Sequence, residues 1–130
     1  MLGREDGQSL VELALTLPIL VFALIGGVDF ARGFTALGGV QSAARGGAEA
    51  AVLGRATTDA EIIAATRDDL SRTPGVDASL ATVTVTRSTG SSSERLLTVG
   101  VRYTFRTVVA WPLVPNTAVL DRTTTMRLAR

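Results

Sequence analysis

The sequence contains no cysteine and no histidine, and only 5% of its residues are aromatic. Without cysteine, the chain neither requires nor excludes an oxidising compartment. Without histidine, it lacks the commonest general base and the commonest metal ligand. Motifs of zinc proteases, phosphate-binding loops and serine hydrolases are also missing, and the adjacent Asp68 and Asp69 would point in different directions on a helix. We therefore expect a protein that is not an enzyme, with no cofactor and no metal site.

Lysine is absent as well, so all thirteen basic residues are arginine, and the formal net charge is +1. The arginines are spaced along the chain, whereas a nucleic-acid-binding surface usually shows a basic cluster or stripe. We expect no nucleic-acid partner. The length of 130 residues is enough for one domain, although an N-terminal apolar run takes some residues away from a globular core.

That apolar run, Leu13 to Val28, has sixteen residues without a charge. As a helix it covers about 24 Å. Its flanks, 8–11 and 30–31, extend it towards the ~30 Å of a hydrocarbon core. Three interpretations compete: a secretory signal peptide, a plain membrane anchor, or the membrane helix of a processed pilin precursor.

The first two interpretations each leave features unexplained. A signal peptide should begin with a positive region and end at a small-residue cleavage site. Here "MLGREDG" has one arginine against two acids, and no clean A-x-A site follows the run. A plain anchor accounts for the length of the run but not for Gly7 and Glu12.

The third interpretation uses both residues, because Gly7 is followed by four residues and then by Glu12, directly before the apolar run. A prepilin peptidase reads this pattern, and cleavage after Gly7 would make Gln8 the new N-terminus and Glu12 its fifth residue. A glycine lets a protease approach the scissile bond closely. The Glu12 carboxylate could then meet the liberated α-amine of a neighbouring subunit, since burying the two charges as a pair costs less than burying either alone.

The stretch "GQSLVELALTLPILVFALIGGVDFARGF" resembles the start of the TadE-like family, small pilin-like proteins of the tight-adherence (Tad) pilus system. The shared features are the small and polar residues before Val11-Glu12, the Leu17-Pro18 pair, and the exit through Asp29, Phe30 and Arg32. The resemblance implies a minor pilin or pseudopilin that is processed by a prepilin peptidase. It would assemble with other pilin subunits and an inner-membrane platform into a type IV-like pilus for adhesion or secretion.

Two departures from the major pilins favour a minor component. Those proteins often carry a tyrosine after the glutamate, where this chain has Leu13, and their mature chains are very short.

Within the run, Pro18 removes a backbone hydrogen bond and crowds the carbonyl of Ala14, which predicts a kink. Asp29 and Arg32 are three residues apart, so they can pair on one helix face and mark the membrane boundary.

Beyond Arg32 the helix is expected to continue to about residue 54. Small residues recur there at steps of three and four: Gly39, Ala43, Gly46 or Gly47, Ala50 and Gly54. Such a stripe permits close approach of another backbone. It predicts packing either on the protein's own sheet or against other subunits.

A second helix is predicted over about 59–72, capped by Thr58 or Asp59, supported by Glu61 and stopped by Pro74-Gly75. Period-two alternation then predicts strands at about 80–87, 95–108 and 119–128. The resulting fold class is α+β and pilin-like: a long N-terminal membrane and assembly helix, a short second helix, and a three-stranded antiparallel sheet packed on the long helix.

Between the last two strands lies the apolar stretch "VVAWPLVPNTAV". Its tryptophan, Trp111, is expected to plug the end of the core, with a membrane-surface contact or a subunit interface as the alternatives.

These expectations divide the chain into a leader (1–7), a membrane and assembly helix (8–31) and a pilin-like domain outside the cytoplasm (32–130). The protein would lie in the inner membrane as a single-pass protein, contact the lipid bilayer, and enter a surface pilus. The orientation follows from the peptidase motif, since the charge bias of the leader is nearly nil. The alternative is an unprocessed, single-span anchored scaffold or binding protein.

Overall fold

The computed structural model describes residues 4–112 and 114–128, with side chains from Gly7 onwards. The fold is α+β, as predicted. It consists of two helices, a short 3-10 turn and three strands: α1 (Arg4–Val52), α2 (Asp59–Ser71), the turn (Ala78–Leu80), β1 (Thr82–Thr89), β2 (Arg95–Arg106) and β3 (Thr117–Arg127).

The chain divides into two compact units, Met1–Ala31 and Arg32–Arg130. The described part of the first unit is helical, and residues 7–24 are all exposed. The apolar part of α1 is long and apolar enough to cross a membrane, and none of it is buried within the protein. Because this apolar segment is exposed, it is not the core helix of a globular domain. A signal sequence has a similar length and composition.

The second unit contains an antiparallel sheet in the order β1-β2-β3, with β2 in the centre. The register pairs Val83 with Val101 and Tyr103 with Leu120. Alternate residues of β2, from Leu97 to Tyr103, face the core and are buried, as the period-two pattern predicts. Small residues of α1 cover this face of the sheet: Ala36, Val40, Ala43, Ala44, Ala48 and Ala50.

Within the second unit, α1 runs antiparallel to β2. A Cβ on Gly33 would lie 3.6 Å from the ring of Phe105, near the end of β2. Ala48, further along α1, shares a buried cluster with Leu97, near the start of β2. The start of this helical segment therefore lies beside the end of β2, where the chain turns towards β3.

The start of α2 is fixed by a capping box. Thr58 accepts a hydrogen bond from the backbone N–H of Glu61, while the Glu61 carboxylate accepts from the backbone N–H of Thr58. Of the two residues predicted as possible N-caps, Thr58 therefore caps the helix and Asp59 does not. Three residues of α2 at helical spacing, Ile62, Thr66 and Leu70, are buried.

The end of α1 also has a local cause. Gly54 has a positive φ of 69°, a conformation that glycine adopts without steric cost. The N–H groups of Gly54 and Arg55 donate to the carbonyls of Ala51 and Ala50, which is the hydrogen-bond pattern of a Schellman motif. The helix thus ends at Val52, two residues before the predicted limit.

The strand boundaries differ from the predicted ones by about two residues. Residues 78–80 form a 3-10 turn because Asp77 accepts hydrogen bonds from the backbone and the hydroxyl of Ser79. At the other end of β1, Ser88 and Thr89 pair with Leu96 and Arg95, so the predicted turn is shorter than its serine-rich composition indicates.

Candidate processing and assembly site

Gly7 lies in the first turns of α1 and is exposed. A Cβ added to it would have no heavy atom within 4 Å, and its φ is not positive. The fold therefore does not require a glycine here, although glycine inside a helix costs about 0.5–1 kcal/mol relative to alanine. The contacts of the folded chain therefore give no reason for a glycine at this position.

Gln8 and Glu12 face each other across one helical turn. The Gln8 Nε2 donates a hydrogen bond of 3.1 Å to the Glu12 Oε1, and both side chains are exposed. The Glu12 carboxylate is thus held close to Gln8, one helical turn before it. The structure brings Gly7, Gln8 and Glu12 together at the start of the apolar run.

Pro18 lies inside α1, which is assigned as one helix from Arg4 to Val52. The missing N–H leaves the Ala14 carbonyl without its usual intrahelical donor. Two residues before the proline, the Thr16 hydroxyl donates to the Glu12 carbonyl at 2.7 Å, which supports this part of the backbone. Helical structure is retained through Pro18, and the predicted kink stays a prediction.

Asp29 is buried, whereas its neighbours Val28 and Phe30 are exposed. Arg32 lies over the ring of Phe105, with 5.4 Å between the guanidinium carbon and the ring centroid. This is the geometry of a cation–π contact. Arg32 therefore joins α1 to the end of β2, a role that its sequence position alone does not indicate. The ion pair between Asp29 and Arg32 stays a prediction.

The small-residue stripe of α1 packs mainly against α2 and the residues that follow it. A Cβ on Gly47 would collide with the hydroxyl of Thr66, and one on Gly39 would collide with the side chain of Thr73. A Cβ on Gly46 would lie 2.7 Å from a carboxylate oxygen of Asp69. The close partner of these glycines is thus mostly a second helix of the same chain. From the sequence, the predicted packing partner of this stripe was either the protein's own sheet or another subunit.

Trp111 lies in the loop of residues 107–116 and is only partly buried. Over the described residues, the two buried clusters of the core do not include it. Its backbone N–H donates to the Asn116 side chain at 2.7 Å, and the Thr107 N–H donates to the Asn116 carbonyl at 3.0 Å. These hydrogen bonds join the two ends of the loop. Trp111 does not fill the end of the hydrophobic core, contrary to the prediction from the sequence.

An open groove of about 640 Å³ lies at the opposite end of the sheet, lined in part by Arg87, Arg95 and Leu96. Arg87 is already engaged there, with an ion pair of 2.7 Å to Asp59 and a hydrogen bond to the Thr57 carbonyl. Its guanidinium therefore serves to hold β1 to the start of α2.

Comparison with known families matches residues 7–49 to the model of TadE-like protein. Residues 7–49 are thus similar to the TadE-like family, and the match covers about a third of the chain. The family resemblance predicted from the sequence is thereby confirmed, and the matched segment begins at Gly7 and includes Glu12 and Pro18. No curated protein and no solved structure is significantly similar to the chain.

The TadE-like match indicates a pilin-like protein that is associated with the Tad pilus. The TadE-like family is structural rather than enzymatic. The exposed apolar helix agrees with membrane anchoring. The match ends near the C-terminus of α1, so α2 and the sheet lie outside it.

Proposed function

We propose that this TadE-like protein is a minor pilin or pseudopilin, made as a membrane precursor and cleaved by a prepilin peptidase between Gly7 and Gln8. The observation that carries the proposal is the combination of an exposed Gly7 that the fold does not require and an exposed Glu12 five residues later. The family match supports it by starting at the same glycine.

Cleavage requires the first turns of α1 to open, because the bond between Gly7 and Gln8 lies within the helix. Helix ends open at low free-energy cost. Glycine lowers the cost further, since it stabilises a helix less than any residue except proline. Substitution of Gly7 would thus act both on access to the bond and on local opening.

After cleavage, Gln8 would carry a positive α-amine one turn from Glu12. Within a membrane, each charge alone is costly, and a pair between adjoining subunits reduces that cost. The hydrogen bond from the Gln8 amide to Glu12 occupies the carboxylate in the precursor. Release of the leader would supply a stronger, charge-assisted partner.

In this role, residues 8–31 would span the inner membrane and residues 32–130 would lie outside the cytoplasm, with the leader inside. The partners would be the prepilin peptidase, other pilin subunits, the inner-membrane assembly platform and the lipid bilayer. The mature subunit would enter a type IV-like Tad pilus that serves adhesion or secretion.

The deciding experiment is identification of the mature N-terminus in cells that produce the pilus. Intact mass and amine labelling suit this chain, because it has no lysine and its only primary amine is the α-amine. An N-terminus at Gln8 supports the proposal. A chain that retains Met1 to Gly7 overturns it and supports the permanently anchored scaffold.

A further inference from the structure

The loop between β2 and β3, described over residues 107–112 and 114–116 and here called the apolar loop, exposes hydrophobic side chains at one end of the sheet. Val108 is 68% exposed and Val114 is 58% exposed. Trp111 is partly exposed between them. Short connections are normally polar, so an exposed apolar loop needs a reason beyond chain reversal.

The loop is ordered by its own hydrogen bonds. The side-chain oxygen of Asn116 accepts a hydrogen bond from the backbone N–H of Trp111. The backbone carbonyl of Asn116 accepts one from the backbone N–H of Thr107. The Thr107 hydroxyl donates to the Val109 carbonyl at 2.8 Å. These bonds satisfy backbone groups inside the loop, while the side chains of Val108 and Val114 remain exposed and can contact an apolar medium.

The loop follows directly after the part of β2 that contacts the first residues of the second unit. Phe105 packs under Arg32 and beside Gly33, and the loop starts two residues later. Arg32 is also the residue at which the chain enters this unit from residue 31.

We propose that the apolar loop lies in the bilayer surface and that Trp111 is its interfacial anchor. The inference rests on the membrane insertion of α1 in the proposed function. Tryptophan favours the boundary between headgroups and acyl chains, where its ring is apolar and its N–H is hydrated. The exposed Arg106 at the end of β2 adds a guanidinium that can reach lipid phosphates.

Trp111 is the only tryptophan in the chain, so it reports on the loop without labelling. The full chain is reconstituted in vesicles whose lipids carry bromine either near the headgroup or deep in the acyl chains. We expect a blue-shifted Trp111 emission, strong quenching by the shallow bromines, weak quenching by the deep ones, and protection from aqueous acrylamide.

A second protein tests insertion of the helix independently. It carries Trp111→Phe together with Phe22→Trp, which moves the reporter into the apolar run. Deep quenching at position 22 without quenching at Trp111 overturns the loop contact while membrane insertion stands. Absence of quenching at both positions overturns the proposed anchoring and the loop contact together.

Substitutions separate lipid contact from self-association. The double variant Val108→Ser and Val114→Ser should shift Trp111 emission to the red and increase acrylamide quenching. Leu53→Ser, directly after α1 and similarly exposed at 66%, should leave both unchanged. A Trp111 blue shift that grows with protein concentration, without quenching by brominated lipid, would overturn the inference in favour of a contact between copies.

Discussion

The Thr66 hydroxyl occupies the space in which a side chain at position 47 would begin. Thr66 is fully buried, and its Oγ1 donates to the Ile62 carbonyl at 2.7 Å. Gly47 therefore allows α1 and α2 to approach closely without loss of that hydrogen bond. This contact joins the TadE-like segment to a helix that the family match does not cover.

Gly47→Ala should destabilise the second unit by about 1–3 kcal/mol, because the added methyl forces the helices apart or breaks the Thr66 hydrogen bond. Gly38→Ala is the matched control, since no heavy atom lies within 4 Å of its Cβ position. The control should be neutral or slightly stabilising, because alanine favours the helix. Thermal unfolding of the full chain in detergent measures both, and equal midpoints for the two variants would contradict the packing described.

Gly7→Leu should block leader removal, because the larger residue hinders access to the scissile bond and strengthens the helix around it. Gly27→Leu provides the comparison, since Gly27 also lies in α1 with no heavy atom within 4 Å of its Cβ position. Intact mass of protein from cells should show retained leader in the first variant only. A normal mature mass for Gly7→Leu would refute the cleavage assignment.

Glu12→Ala should be cleaved normally but should yield few surface pili, because the α-amine of the next subunit would lose its counter-charge. Glu12→Gln should give the same loss of surface pili, because glutamine keeps a hydrogen-bonding side chain but lacks the negative charge that pairs with the α-amine. Glu49→Gln is the control, since Glu49 lies on the same helix but pairs with Arg45 of its own chain at 2.7 Å. Quantification of sheared pili tests this, and wild-type amounts from either Glu12 variant would speak against the pairing.

Acid should weaken the start of α2. Hydrogen bonds from the N–H groups of Thr57 and Thr58 hold the pKa of Glu61 below its ordinary value of 4.5. The folded state therefore binds this proton less readily than the unfolded state. The stabilisation is complete above pH 4.5 and is lost as the pH falls through the lowered pKa.

Glu61→Gln isolates that contribution, because glutamine can keep the capping geometry without the charge. The unfolding midpoint of the wild type should fall more between pH 7 and pH 3 than that of Glu61→Gln. Parallel pH profiles for the two proteins would show that the carboxylate makes no such contribution.

The sequence predicted much of the second unit because its signals are local. Alternation in β2 identified the buried face that includes Val99 and Tyr103, and Thr58 with Glu61 marked the start of α2. The limits of β1 were less accurate, because Asp77 stabilises a 3-10 turn through side-chain hydrogen bonds that compete with extension.

The features that sequence analysis missed are tertiary. The spacing of Gly39, Gly46 and Gly47 predicts close packing but cannot identify the neighbour, which the structure shows to be mainly α2 and Thr73. Likewise, tryptophan favours both cores and interfaces, so the composition of the apolar loop could not place Trp111. The proposed processing motif could be predicted from the sequence alone because its residues, Gly7 to Glu12, lie close together along the chain.

The antiparallel course of α1 and β2 also determines where the second unit can be extended. The turn from β1 to β2, closed by a hydrogen bond from the Gly90 N–H to the Glu94 carbonyl, is exposed over residues 91–93 and lies at the end of β2 away from Arg32. Exposed loop tips accept insertions well. An epitope tag placed between Ser92 and Ser93 would thus be accessible to an antibody on the folded protein while leaving Gly7 and the apolar loop unaltered.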